Sequence, residues 1–178
     1  YRGSEGDALL KCYYRSLGHG VETYGERFHA NALRVYTIGG NTEFADVLID
    51  RWVDGEPLDV CIDDCTCNLH RLSRAFDRMA CDLLDEVWAH GDVKPENIIC
   101  RPDGQMQLID MDAVWREGVD IEQCNEYGTA EFNHPRRREI TEGKHIDDFA
   151  IALISATLAV MALDPERYRG ALDVRRGI

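Results

Sequence analysis

One short segment, residues 88–100, concentrates side chains that can do chemistry. It reads WAHGDVKPENIIC, so a histidine, two acids, a lysine and an asparagine are followed at once by apolar residues. A proline inside a helix removes a backbone hydrogen bond and clashes with the preceding turn, so Pro95 disfavours a continuous helix here. The pattern predicts a polar loop that runs directly into a short buried strand.

A second acidic segment is predicted to return to this loop through a tight turn. The apolar runs NIIC and QMQLID flank RPDG, which has proline and glycine at the second and fourth positions that a type I turn favours. In such a hairpin Asn97 lies across from about Leu108, and Asp110 lies just beyond. Amide and carboxylate oxygens with open positions left for phosphates are the ligands that suit Mg²⁺.

The two segments together predict a phosphoryl-transfer site. Asn97 and Asp110 are the candidate magnesium ligands at one end of the hairpin. Asp92, on the loop above them, is a candidate base for a hydroxyl group. Lys94 offers a cation for a phosphoryl group in transfer, where positioning and charge stabilisation supply most of the rate.

Hydrophobic patterning predicts the elements that hold these residues. Segments 8–14, 32–38 and 44–53 are rich in β-branched and aromatic residues and favour strands, with a short helix possible within 21–33. Apolar residues recur at three- and four-residue steps from Leu69 to Val87, which indicates a long amphipathic helix. A second helix is expected over FAIALISATLAVMAL (149–163), with Asp147 or Asp148 as its N-cap. The predicted fold class is therefore α+β.

Composition narrows the class of protein. The chain has 178 residues, 44% of them hydrophobic, and a net charge of −13, which argues against nucleic-acid binding because phosphates need basic surface. The apolar run 149–163 is short for a membrane span and suits a core helix, so we expect no membrane insertion. Seven scattered cysteines and the lack of a signal peptide favour a reducing cytoplasm. The cluster CIDDCTC (61–67) is read either as ordinary thiols or as part of a metal site.

HGDVKPENIIC followed by LIDMD resembles the catalytic loop and metal-binding segment of the protein-kinase superfamily. The resemblance implies a bacterial Ser/Thr protein-kinase-like domain that uses ATP and Mg²⁺. It implies catalytic roles for Asp92, Lys94 and Asn97, and metal ligation by Asn97 and Asp110. ALLKCYY resembles the strand of the nucleotide-binding lysine, which makes Lys11 that residue, with Glu26, or less readily Glu22, as its partner acid.

Further segments resemble other parts of a two-lobed kinase. GTAEFNHP (128–135) resembles the end of an activation segment, and HIDDFAIALI resembles the buried helix behind the catalytic loop, with Asp147 as its anchoring acid. RWVDGEPL resembles the hinge between lobes. The implied organisation is a partial N-lobe over residues 1–53, a hinge at 54–57, and a helical C-lobe over 58–178, trimmed at the glycine-rich loop and at the later helices.

The chain also departs from the family pattern. Gly91 replaces the arginine of His-Arg-Asp, Asp112 replaces the glycine after the metal aspartate, and Arg136 replaces a glutamate. His-Gly-Asp and the acid-rich IDMD also resemble aminoglycoside phosphotransferases, and Asp112 is a candidate ligand for a second metal ion. Three functions therefore stay open: a kinase of protein Ser/Thr hydroxyls, a kinase of small-molecule hydroxyls, and a pseudokinase-like binding module without turnover.

Overall fold

Two compact units make up the chain, Tyr1–Val53 and Asp54–Ile178. The computed structural model describes residues 2–3, 6–13, 25–64, 66–117, 128–137 and 143–165. Residues 54–57, which the sequence predicts as a hinge, belong to the second unit, where β5 (Glu56–Pro57) pairs with a later strand.

The first unit is a four-stranded antiparallel sheet. Its strands are β1 (Arg2–Gly3), β2 (Gly6–Tyr13), β3 (Phe28–Tyr36) and β4 (Thr42–Arg51), in the order β1-β2-β4-β3. The three strands expected from β-branched and aromatic content are confirmed, each with shifted ends. The central strand β4 holds the buried residues Ala45, Val47 and Leu48, because it is paired on both edges.

The short helix considered within residues 21–33 is, over the described residues 25–33, a single 3₁₀ turn. A 3₁₀ helix spans Gly25–Arg27, and the chain then enters β3 at Phe28, opposite Leu48 of β4. Pairing along β4 thus prevails over the weak helical pattern, which Gly25 interrupts at a φ of 53°.

The described residues of the second unit form three α-helices. These are α1 (Leu58–Asp63), α2 (Leu69–Asp85) and α3 (Asp148–Leu163). The Asn68 side chain caps α2 by accepting a hydrogen bond from the Arg71 N–H at 3.1 Å. Helix α2 ends at Asp85, before the predicted Val87, whose side chain is exposed.

Helix α3 is a core element. The side chains of Ile154, Leu158 and Met161 are fully buried and belong to the same cluster as Phe76 of α2. Lys144–Leu163 is long and apolar enough to cross a membrane by length and composition alone, yet half of its most apolar window is buried inside the protein. In this fold the segment therefore serves as the packing partner of α2.

In the described part of the second unit, five short strands position the polar loop. β5 pairs with β7 (Ile98–Cys100), which pairs with β8 (Met106–Leu108), and β6 (Trp88–Ala89) pairs with β9 (Trp115–Arg116). The predicted hairpin is confirmed, because the Gly104 N–H donates to the Arg101 carbonyl at 2.9 Å. Its register is shifted by one residue from the prediction, since Ile98 and not Asn97 lies opposite Leu108. The fold is α+β, as the sequence predicts.

Candidate active site

His90 joins the polar loop to the segment after β8. Its side chain is fully buried, with Nε2 2.9 Å from the Ile109 carbonyl and Nδ1 3.3 Å from the Asp92 backbone nitrogen. A backbone N–H can donate only to an unprotonated nitrogen, and a carbonyl can only accept. This pattern assigns the neutral ring with its proton on Nε2, so His90 sets the spacing between the two segments.

Asp147 anchors the backbone of the same loop. Its Oδ2 accepts a hydrogen bond from the His90 N–H at 2.6 Å, and its Oδ1 accepts one from the Gly91 N–H at 2.9 Å. Asp147 stands at the predicted N-cap position of α3, but its side chain makes no capping bond and serves the loop instead. Burial raises the pKa of Asp147, while the two N–H donors and the charge of Arg137 act against that rise.

Gly91 has a structural reason to stand where the family has arginine. Its φ is +83°, and an added Cβ would lie 2.1 Å from the carbonyl oxygen of Ala113. Both the left-handed backbone and this close approach require glycine. The difference from His-Arg-Asp therefore follows from how the loop packs on residues 111–113.

Asp92 is the centre of a hydrogen-bond network. Its Oδ1 accepts from the Thr129 N–H at 2.6 Å, and its Oδ2 lies 2.9 Å from Lys94 Nζ and 3.0 Å from Asn97 Nδ2. Burial acts to raise the pKa of Asp92, but the hydrogen bonds from Lys94 and Thr129 outweigh it and hold the pKa below its ordinary value. The carboxylate is thus ionised and fixed in orientation.

Thr129 is a site residue that the sequence reasoning missed. Besides its N–H on Asp92, its Oγ1 accepts a hydrogen bond from Lys94 Nζ at 2.8 Å. Thr129 lies in GTAEFNHP, which was linked to an activation segment without any residue of it being placed in the site. The sequence offered one clue to this role, which is that the motif GTAEFNHP contains a residue with a hydroxyl group.

The side-chain amide of Asn97 has a defined orientation. Its Nδ2 donates to the Asp92 carbonyl at 2.9 Å as well as to Asp92 Oδ2. Both of these atoms are acceptors, so the nitrogen must face Asp92 and the amide oxygen must face away. An outward amide oxygen is the kind of uncharged ligand that can bind a cation.

Asp110 is brought to Asn97 through the backbone. The Ile109 N–H donates to the Asn97 carbonyl at 2.9 Å, and Asp110 follows at once. Asp110 has a φ of 65°, and Asn31 is the other non-glycine residue with positive φ among the described residues. A left-handed aspartate of this kind marks a constrained position of the sort that is frequent at ligand sites. An amide oxygen and a carboxylate fit Mg²⁺ by their chemistry.

Lys11 and Glu26 lie in the first unit, whereas Asp92, Lys94, Asn97 and Asp110 lie in the second. Lys11 is in the middle of β2, opposite Leu48, and is partly buried. Glu26 is exposed in the 3₁₀ helix before β3. Their roles in nucleotide binding, and that of Asp112 toward a second metal ion, stay predictions; Glu22 lies outside the described residues.

The cysteine cluster is described in part. Cys61 is buried on α1, Cys67 follows it, and both are free thiols, while Cys65 lies outside the described residues. Burial and the neighbouring Cys61 raise the pKa of Cys67, which keeps its thiol protonated at neutral pH. Over the described ranges, no group of three or more His, Cys, Asp or Glu side chains is arranged to hold a metal ion.

Comparison with solved structures decides the fold family. No protein-family model matches the sequence, and no curated protein matches it either. The chain is similar in structure to the kinase PK-1 of the Cydia pomonella granulovirus, with a TM-score of 0.55 and 15% sequence identity over 93% of this chain. The fold is protein-kinase-like. The chain spans 66% of the length of the viral kinase, and at this identity the likeness concerns the kinase-like fold alone.

Proposed function

We propose that this kinase-like chain is an ATP- and Mg²⁺-dependent phosphotransferase that transfers the γ-phosphoryl group of ATP to a hydroxyl group. The observation that supports this most directly is the network around Asp92. Three donors fix this carboxylate, and the partner amide of Asn97 turns its oxygen away from it. The network thus brings together a carboxylate, a cation and an amide oxygen turned away from them, the kinds of group that phosphoryl transfer uses.

In this proposal Asp92 orients the acceptor hydroxyl by accepting its hydrogen bond. It takes the proton as the new O–P bond forms, while the bond from the γ-phosphorus to the bridging oxygen of ATP breaks and ADP leaves. The pKa of Asp92 is below its ordinary value, so Asp92 is a weak base. Most of its effect must then come from orientation, which agrees with phosphoryl transfer depending mainly on positioning and electrostatics. Lys94, 2.9 Å from Asp92 Oδ2, steadies the phosphoryl group as charge redistributes.

The cofactor requirements follow from the same residues. Mg²⁺, held by the Asn97 amide oxygen and the Asp110 carboxylate, would supply neutralisation of charge on phosphate oxygens. Lys11 would contact the nucleotide phosphates and Glu26 would orient it. These two assignments rest on the resemblance of ALLKCYY to the lysine strand of kinases.

The proposal also covers the phosphate acceptor and the cellular location of the protein. KPEN and GTAEFNHP favour a protein Ser or Thr hydroxyl, as in bacterial Ser/Thr kinases. His-Gly-Asp favours a small-molecule hydroxyl as the second choice. A net charge of −13 disfavours nucleic-acid partners. We place the protein in the cytoplasm without membrane insertion, where its thiols stay reduced.

A pseudokinase-like binding module is the second candidate, and one observation favours it. Both oxygens of Asp92 already accept hydrogen bonds from protein donors, so an acceptor hydroxyl must share or replace one of them. A network satisfied in this way also serves a scaffold that never transfers a phosphate.

Asp92→Asn separates the two candidates. The assay is single-turnover transfer from Mg·ATP to a panel of protein and small-molecule acceptors, using the full-length natural protein. Asp82→Asn, an exposed acid on α2, is the matched control. Phosphotransferase function predicts unchanged ATP affinity and transfer slower by about 10²–10⁴-fold in Asp92→Asn. Equal transfer by both variants would remove Asp92 from the mechanism, and wild-type protein that binds Mg·ATP without any transfer would favour the pseudokinase.

A further inference from the structure

Gly128 meets the polar loop at a distance that only glycine allows. Its φ is +69°, in the left-handed region. A Cβ added to Gly128 would lie closer than 3.0 Å to the Gly91 carbonyl oxygen and 3.1 Å from Asp92 Oδ1. The nearest of these atoms belongs to the backbone, which cannot rotate aside as the end of a flexible side chain can. The proposed mechanism gives Gly128 no role, so this contact needs an explanation.

Gly91 is enclosed by three segments of the chain. An added Cβ at Gly91 would meet the Ala113 carbonyl oxygen, and the carbonyl of Gly91 itself faces Gly128. The Gly91 N–H donates to Asp147 Oδ1 at 2.9 Å. Because Asp92 is the next residue, its backbone is placed by all three contacts, and Gly128 supplies one of them.

The bonds of Thr129 depend on the contact between Gly128 and Gly91. One peptide group joins Gly128 to Thr129, and its N–H donates to Asp92 Oδ1 at 2.6 Å. The Thr129 hydroxyl accepts a hydrogen bond from Lys94 Nζ at 2.8 Å. An N–H···O bond weakens when the heavy atoms are more than about 3.2 Å apart. A retreat of Gly128 by about 1 Å would therefore carry the Thr129 N–H out of reach of Asp92.

The other end of this segment is anchored in the core. The Phe132 N–H donates to the Thr129 carbonyl at 3.0 Å. The Phe132 side chain is buried in the same cluster as Ile151 of α3. The segment is thus held between the core at Phe132 and the loop at Gly91, and a side chain at position 128 has no free space between them.

We propose that Gly128 is a positioning residue whose backbone docks on the Gly91 carbonyl. This docking places the Thr129 N–H on Asp92 and the Thr129 hydroxyl on Lys94. Gly128 touches neither the nucleotide nor the acceptor in this role. Its effect on phosphoryl transfer rests on the proposed function, whereas its effect on Thr129 does not.

Substitution by asparagine separates the close contact from the backbone conformation. Asparagine adopts the left-handed region more readily than most residues that have a side chain. Gly128→Asn therefore keeps most of the backbone conformation and places a Cβ against Gly91. Gly104→Asn is the matched control, because Gly104 has a φ of +81° and an added Cβ there would meet only the end of the Arg71 side chain at 3.8 Å.

Hydrogen exchange of single backbone amides, followed by NMR, tests the proposal without an activity assay. An N–H in a hydrogen bond exchanges when that bond opens, so its rate measures local opening. The Thr129 N–H reports the bond to Asp92. The Ile109 N–H, which donates to the Asn97 carbonyl at 2.9 Å, reports a bond in which Gly128 takes no part.

We expect the Thr129 N–H to exchange at least about ten-fold faster in Gly128→Asn than in the wild type, because a hydrogen bond to a charged group is one of the stronger kind. The Ile109 N–H should keep its rate, and Gly104→Asn should leave both rates unchanged. An unchanged Thr129 rate in Gly128→Asn would overturn the proposal. Equal acceleration of both amides would also overturn it, because a general loss of stability acts on the whole unit.

Thr129→Val covers the case in which Gly128→Asn does not fold. This variant keeps Gly128 and the N–H of residue 129, and it loses the hydroxyl with its bond to Lys94. The proposal predicts that the N–H of residue 129 keeps its slow exchange, since the docking of Gly128 holds it. Fast exchange in Thr129→Val would show that the hydroxyl, and not Gly128, places the segment, and would contradict the proposal.

The transfer assay keeps this role separate from the proposed function. In an active enzyme, Gly128→Asn should lower the transfer rate by about 10²-fold with unchanged Mg·ATP affinity, because a misplacement of about 1 Å can cost this much. Gly104→Asn should change neither quantity, and a fall in Mg·ATP affinity with an unchanged transfer rate would contradict a role at Asp92. If the wild-type protein binds Mg·ATP without transfer, the proposed function fails, while the exchange rates still decide the role of Gly128.

Discussion

Replacing Gly91 by alanine is the sharpest test of how the loop is built. The added Cβ would lie 2.1 Å from the Ala113 carbonyl oxygen, about 0.9 Å closer than the 3.0 Å below which Cβ contacts are essentially never seen. The residue would also be forced to keep a φ of +83°. Either the loop or residues 111–113 must move, and both carry groups of the candidate site.

Two free-energy costs add when Gly91 is replaced by alanine. The left-handed conformation costs a non-glycine residue about 1–2 kcal/mol. Forcing an extra carbon into packed backbone costs about 1–3 kcal/mol more. Gly91→Ala should therefore lose about 2–5 kcal/mol, a large share of the roughly 5–15 kcal/mol that stabilises a typical domain. Gly91→Arg, which restores the residue of the family motif, meets the same clash and should be no better.

Gly104 supplies a matched control for this prediction. It has nearly the same φ, +81°, but an added Cβ there would meet only the end of the Arg71 side chain at 3.8 Å. Gly104→Ala should cost only the conformational part, about 1–2 kcal/mol. Urea unfolding at pH 7 measures both variants. Equal losses at the two positions would show that the contact with Ala113 has no energetic weight, and the explanation for glycine would be wrong.

Two further predictions concern the network and the metal. Asp110→Asn should weaken Mg·ATP binding by calorimetry because an amide supplies no negative charge; unchanged affinity at saturating magnesium would contradict the assignment. Lys94→Met should lower the free energy of unfolding by about 1–3 kcal/mol at pH 7. Burial opposes ionisation of Asp92, but the hydrogen bonds from Lys94 and Thr129 outweigh it and lower the pKa of Asp92. The stabilisation of the folded state by Lys94 is therefore present above pH ~4 and is lost as the pH falls through the lowered pKa. If the loss of stability in Lys94→Met does not shrink toward pH 3, the pairing with ionised Asp92 is not its cause.

Turn residues and hydrophobic runs in the sequence predicted those parts of the site whose residues are close along the chain. RPDG fixed the hairpin, and the hairpin register brought the backbone of Asn97 to the residue before Asp110. Pro95 and the polar loop predicted a break between α2 and β7, which the 3₁₀ helix Pro95–Asn97 fills. These features depend on turn geometry and on hydrophobic runs, which a sequence displays directly.

Contacts between distant segments could not be read in the same way. The bond from Thr129 to Asp92 depends on how the chain returns after residues 111–117, and no pattern specifies that path. The edge-to-face contact of His134 with Phe149 likewise depends on how the segment after residue 128 packs on α3. Of the short helix considered before β3, the described residues 25–33 contain the 3₁₀ helix Gly25–Arg27, because strand pairing with β4, a tertiary effect, outweighed a weak local preference beyond it.

The hydrogen bonds of the loop also imply an order of assembly. The bond between Asn97 and Asp92 spans five residues, and that between His90 and Ile109 spans 19. The bonds of Thr129 to Asp92 and of His90 to Asp147 span 37 and 57 residues. Closing a longer loop costs more chain entropy, so contacts between distant residues slow folding more than local ones. We therefore expect the half of the site around Asn97 to take shape before its attachment to Asp147 at the start of α3.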